Sequence, residues 1–120
     1  MAKILIVDDS KTSRKMLRSI LEEAGMEVIG EASDGIDGVR LYEALKPDLV
    51  TLDITMPVMD GIDTLKEIMG RDQTARVVMV TAAGQKGNMM EALKLGALEF
   101  VTKPYDTDSI LDIVKRALKA

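Results

Sequence analysis

Three aspartates, a threonine and a lysine are the side chains of this 120-residue chain best suited to chemistry, and each sits at the close of a short apolar run. Residues 3–7 run into Asp8 and Asp9, and residues 48–52 into Asp53. Residues 76–80 run into Thr81, and residues 98–102 into Lys103 and Pro104. If these runs are parallel neighbouring strands, three carboxylates, a hydroxyl and an ammonium converge on one crevice. Such a set suits a hard divalent cation and a phosphoryl group. Oxygen ligands without His or Cys favour Mg2+, its octahedron completed by waters and a backbone carbonyl. Carboxylates also form acyl-phosphate intermediates, which makes Asp53 the candidate nucleophile.

Each residue has a plainer reading when taken alone. Asp8 and Asp9 could cap a helix, Asp53 could simply end a strand, Thr is ordinary at strand ends, and Lys103 could be a solvated surface lysine. Clustering changes the balance. Two carboxylates about 4 Å apart repel by about 4 kcal/mol at an effective dielectric near 20. Three placed together are costly unless a cation joins them. A cis Lys103–Pro104 peptide would fix the direction of the amine, and a lysine is an ordinary point charge for a phosphoryl oxygen.

These positions need elements to hold them. The chain is 47% apolar, which predicts a packed core, and its only aromatics are Tyr42, Phe100 and Tyr105, so that core is aliphatic and filled by methionine. A net charge of −4 without a basic cluster argues against nucleic acid. Absence of Cys and His excludes disulfides, thiolate chemistry and histidine general bases. No signal peptide or membrane span is evident, so a cytoplasmic protein without membrane contact is expected.

Short β-branched runs alternate with segments of helical period. Met16, Leu17, Ile20, Leu21 and Ala24 form one apolar helix face, with Ser10 or Thr12 as its cap and Gly25 at its end. Glu27–Ala32 alternates in character, which predicts a strand near a sheet edge. Gly35–Leu45 reads as a helix with Val39, Tyr42 and Leu45 inward, and Gly38 inside it suggests close packing on the sheet. Residues 49–52 read as a central strand buried on both faces. After a loop over 54–60, Ile62, Leu65, Ile68 and Met69 mark a third helix. A loop over 84–87 leads to a helix with Met89, Met90 and Leu93, and a final helix turns Ile110, Leu111, Val114, Ala117 and Leu118 inward. This repetition predicts one domain spanning 1–120, an α/β fold with a doubly wound five-stranded parallel sheet and helices on both faces. Ligands of such sheets bind outside the carboxyl ends of the strands, where strand order reverses.

Leu5-Ile6-Val7-Asp8-Asp9, the stretch Asp53-Ile54-Thr55-Met56-Pro57 with Asp60-Gly61, Thr81-Ala82, and Lys103-Pro104 together resemble the receiver domain of two-component response regulators. The likeness covers the whole chain with every motif in order, and it is greatest to stand-alone CheY-like chemotaxis regulators. It implies the flavodoxin-like (βα)5 arrangement with strand order 2-1-3-4-5. It also implies that Asp53 accepts a phosphoryl group from the phosphohistidine of a chemotaxis-type histidine kinase. Asp9, Asp53 and the Thr55 carbonyl would then ligate Mg2+ directly, with Asp8 acting largely through water. Thr81 would bond the incoming phosphoryl oxygen, Lys103 would pair with it, and Phe100 would occupy the aromatic switch position, where many members carry Tyr. Thr55 and Ala83 would flank the path of a hydrolytic water.

No output domain is expected within the chain, so a signal would leave through the receiver's own surface. The expected exposed set is Lys86, Met90, Lys94, Thr102 and Tyr105, with Met89 turned into the core. Implied partners of this monomer are the kinase, a flagellar motor switch protein or another target protein, and a phosphatase. A phosphorelay intermediate, or a receiver cut from a longer regulator, is the alternative. A phosphatase-type enzyme on the same fold fits less well, because Thr55 stands where a second aspartate would be needed.

Overall fold

The computed structural model describes residues 1–82 and 86–120, with 86 and 87 as backbone only. Strands and helices alternate along the chain: β1 (Lys3–Val7), α1 (Lys11–Glu23), β2 (Glu27–Ala32), α2 (Gly35–Leu45), β3 (Leu49–Asp53), α3 (Gly61–Arg71), β4 (Val77–Thr81), α4 (Lys86–Lys94), β5 (Glu99–Thr102) and α5 (Thr107–Leu118). All pairings are parallel, in the order β2-β1-β3-β4-β5. Succession reverses direction between β1 and β3, and the crevice therefore opens between the residues that end these two strands.

The strands follow from their β-branched runs, and the helices begin where a side chain can accept an otherwise orphaned amide. Ser10 accepts from the Ser13 amide at 3.2 Å, which settles the cap of α1 in favour of Ser10 over Thr12. Asp34, Asp60 and Asp106 do the same for α2, α3 and α5. Gly25, at φ +88°, lets the chain turn out of α1.

Two apolar layers sandwich the sheet. Ile4, Ile6, Leu49, Val78 and Val80 meet α1 and α5, whereas Leu5, Val7, Val50, Leu52, Val77 and Met79 meet the helices of the other face. β3 and β4 are buried along their full length, as continuous apolar runs in a doubly covered sheet require. β2 lies at an edge, as its alternation predicts. Gly38 packs where a Cβ would come within 2.9 Å of a Val7 methyl, which is the close approach its place in α2 suggests. Among the described residues no helix is long and apolar enough to cross a membrane.

Several expected boundaries and faces differ. β3 closes on Asp53 and β4 on Thr81, so both residues belong to their strands, and β5 begins at Glu99. Met16 is 49% exposed and Ala24 lies outside, because α1 buries a narrower stripe of Ser13, Leu17 and Leu21. Leu45, expected inward, is exposed at the end of α2. α4 begins at Lys86, inside the loop expected over 84–87, and the rest of that loop, the Ala83 position and the Lys86 side chain lie outside the described residues.

Candidate functional site

The pleat decides where each strand-end side chain points. Alternation places Asp8 on the same face as Ile4 and Ile6, Asp53 with Leu49, and Lys103 with Val101, all toward α1 and α5. Thr81 falls in line with Met79, and Phe100 pairs with Met79 across β4 and β5, so these two share the opposite face. Asp8, Asp9 and Asp53 each bring a carboxylate oxygen within 4.8 Å of the others. The three acids expected to meet do so.

Lys103 closes the pocket. Its Nζ donates to Asp53 Oδ2 at 3.1 Å and lies 3.0 Å from Asp8 Oδ2, an ion pair rather than a well-directed hydrogen bond. The Lys103–Pro104 peptide is cis. Asp8 Oδ1 accepts the Ser10 amide at 2.9 Å, and Asp53 Oδ1 accepts the Thr55 amide at 3.3 Å. Asp8 and Asp53 are buried, while Asp9 and Thr55 are exposed. Thr81 is buried at the end of β4, its hydroxyl 3.1 Å from the Ala82 carbonyl.

Burial and like charge set the two buried acids apart. Desolvation, then the neighbouring Asp8 charge, push Asp53 up to about 6 despite Lys103. Burial also works against the charge of Asp8, but the Ser10 amide, the Ser13 hydroxyl and Lys103 outweigh it, and Asp8 titrates below its ordinary value. Lys103 is likewise disfavoured by burial, yet the two carboxylates hold its pKa above the usual lysine value. Among the described residues, one ammonium stands against three carboxylates, which leaves them short of positive charge. The donor set is all oxygen and its members lie at mutual ligand spacing, so the pocket fits a small hard cation.

Against known proteins, the model of the family described as "Response regulator receiver domain" matches residues 4–115. The chain belongs to the response regulator receiver family. It is 44% identical to Chemotaxis protein CheY of Listeria monocytogenes, over 99% of this chain and 100% of that protein. It is equally identical to the CheY of Thermotoga maritima, over 98% of each. The Borrelia burgdorferi CheX–CheY–BeF3–Mg2+ complex contains a chain that superposes with a TM-score of 0.92 at 41% identity, covering 96% of this chain and 87% of that one. This receiver is thus a phosphoacceptor signalling protein of a two-component system, and receivers are not enzymes in the ordinary sense.

Part of the site escaped the sequence. The Tyr105 hydroxyl lies 2.8 Å from Ser13 Oγ, and Tyr105 is half-buried rather than exposed as expected. Ser13 in turn favours the charge of Asp8. Ser13 lies on the buried stripe of α1, and its only sequence signal is a hydroxyl among apolar neighbours at helical spacing. Met90, at 62% exposure, Lys94 and Thr102 are on the surface, and Met89 packs against the core, as expected.

Proposed function

We propose that Asp53 is the phosphoacceptor, that Asp8, Asp9, Asp53 and the Thr55 carbonyl hold Mg2+, and that the phosphorylated receiver serves chemotaxis in the cytoplasm. The observation that carries this reading is the meeting of three carboxylates and one lysine at the strand-order reversal. An Asp53 oxygen attacks the phosphorus of a kinase phosphohistidine. The P–N bond breaks, the imidazole nitrogen keeps the electron pair, and an acyl phosphate remains on Asp53. Mg2+, when bound, supplies the charge neutralisation that phosphoryl oxygens need.

Lys103 already touches Asp53 Oδ2, so a small shift lets its ammonium pair with a phosphoryl oxygen instead. The Thr81 hydroxyl donates to another. A carboxylate nucleophile needs no general base, which suits a chain without histidine. Hydrolysis of the acyl phosphate returns the receiver to rest, on its own or with a phosphatase.

Relatives named as chemotaxis proteins in several organisms support the pathway, and the flagellar switch is the target we favour. A receiver acting within a longer regulator is the second reading. It is favoured by 43% identity to a protein-glutamate methylesterase of Halalkalibacterium halodurans, of which this chain covers 33%.

Acetyl phosphate with Mg2+ should add one phosphate to the wild type, at Asp53, and none to Asp53→Asn. Stoichiometric phosphate on another residue by mass spectrometry would overturn the assignment. Interaction of the beryllofluoride-treated protein with a flagellar switch peptide, absent without beryllofluoride, separates the chemotaxis reading from the second one.

A further inference from the structure

Asp9 is the exposed member of the acid cluster, so its direction depends on the backbone that carries it. That backbone is held on both sides. The Asp8 amide donates to the Ala32 carbonyl at 3.0 Å. The Asp8 carbonyl, which belongs to the Asp8–Asp9 peptide, accepts Arg14 Nη1 at 2.7 Å. Arg14 is itself fixed: Nε donates to Glu31 Oε1 at 3.0 Å, while Glu31 Oε2 takes Arg18 Nη1 at 2.6 Å. Glu31 directly precedes Ala32, so the contacts form a closed ring from β1 to β2 to α1 and back to β1. A planar guanidinium suits this task, because two of its donors diverge at a fixed angle. Its side chain is only 15% exposed.

We propose that Arg14 is a positioning residue for the Mg2+ site: it locks the plane of the Asp8–Asp9 peptide and thereby aims the Asp9 carboxylate. This rests on reading the acid cluster as the Mg2+ site. Two roles of Arg14 predict opposite signs. As a nearby positive charge, Arg14 repels a cation, so its loss tightens Mg2+ binding. As the lock on the peptide, its loss weakens Mg2+ binding. The lock dominates, because the guanidinium contacts the carbonyl of the acidic turn and its own charge is balanced by Glu31.

Arg14→Met keeps the apolar stem and removes the donors. Mg2+ titration calorimetry should show a Kd about tenfold higher than wild type, the range typical of a lost outer-shell partner. The loss should persist from 0.1 to 0.5 M KCl, whereas a purely electrostatic change shrinks with salt. In EDTA, the Asp8 carbonyl and Asp9 amide resonances should shift in the variant, and the wild-type Arg14 Nε–H should exchange slowly. Glu31→Gln, which loosens Arg14 without removing it, should give a smaller loss of the same sign. It also serves as the test if Arg14→Met does not fold. An unchanged or lower Kd in a folded variant overturns the proposal. If the wild type binds no Mg2+, the site reading fails instead, and the metal-free spectra still decide whether Arg14 holds the Asp8–Asp9 peptide.

Discussion

At the scale of single residues, Asp53 carries a pH signature. Its pKa is raised from 3.8 to about 6 in the folded protein, so the native state holds the proton more tightly than the unfolded chain does. The stability this contributes is present below the unfolded value and lost as pH rises through about 6. Its upper bound is about 3 kcal/mol. Asp8 is shifted the other way, so its contribution is present at neutral pH and lost on acidification. Because the two partly cancel in the wild type, the comparison with Asp53→Asn isolates Asp53. In EDTA the variant should melt close to wild type at pH 4 and clearly above it at pH 7, the gap opening between. A gap independent of pH would mean that the Asp53 charge is not strained. Mg2+ should then raise the wild-type melting temperature more than that of the variant.

Val58 offers a second test at this scale. It is a β-branched residue at φ +70°, 79% exposed, centred in a three-residue turn closed by the Met59 amide on the Pro57 carbonyl at 2.8 Å. A three-residue turn closed in this way at positive φ is the rare, strained γ-turn, which costs a residue with a side chain about 1–3 kcal/mol. Gly takes positive φ more readily, a gain partly offset by its freer unfolded chain. Val58→Gly should raise the melting temperature by about 4 °C. A fall would show that the exposed methyls contribute more than the backbone strain.

At the scale of elements, the sequence was most legible where period and position agree. β1, β2 and α2 fall where their patterns place them, and the three acids and Lys103 converge as the parallel arrangement requires. Helix faces were less legible, because the 13-residue α1 buries against the sheet a stripe narrower than its apolar residues allow, leaving Met16 outside. Contacts between distant segments left no local signal at all. Tyr105 and Ser13 are 92 residues apart, and nothing in either neighbourhood announces the bond. The order of the sheet came from family likeness, since burial patterns mark β3 as central and β2 as an edge strand but do not say which strands are neighbours. Gly38 is a case that a pattern did announce. Helix propensity favours Ala there by about 1 kcal/mol, but the added Cβ meets the stiff, buried Val7 at 2.9 Å. Overpacking of this kind costs about 1–3 kcal/mol. Gly38→Ala should therefore lower the melting temperature, and a rise would mean that α2 can lift from the sheet without penalty.

At the scale of the whole molecule, the acid pocket and the candidate output surface are linked by β4 and β5. Thr81 ends β4 and is paired with Thr102, while Phe100 pairs with Met79 on the same face as Thr81. If Asp53 is phosphorylated as we propose, new acceptor oxygens would be offered, and the Thr81 hydroxyl would reach one by leaving its present contact with the Ala82 carbonyl. That movement would open space beside a Phe100 ring that is only partly buried, and filling it would remove apolar surface from water. Phosphorylation then has to favour one of two arrangements by only about 1–3 kcal/mol to act as a switch. The surface that would feel it, α4, β5 and the start of α5, presents Met90, Lys94 and Thr102. Beryllofluoride with Mg2+ should move amide resonances at residues 100–105 and along α4, not only around Asp53. Thr81→Ala should still accept phosphate from acetyl phosphate while losing most of those remote shifts and most of its affinity for a target peptide. Shifts confined to the acid pocket in the wild type, or undiminished remote shifts in Thr81→Ala, would show that the signal leaves the site by another route.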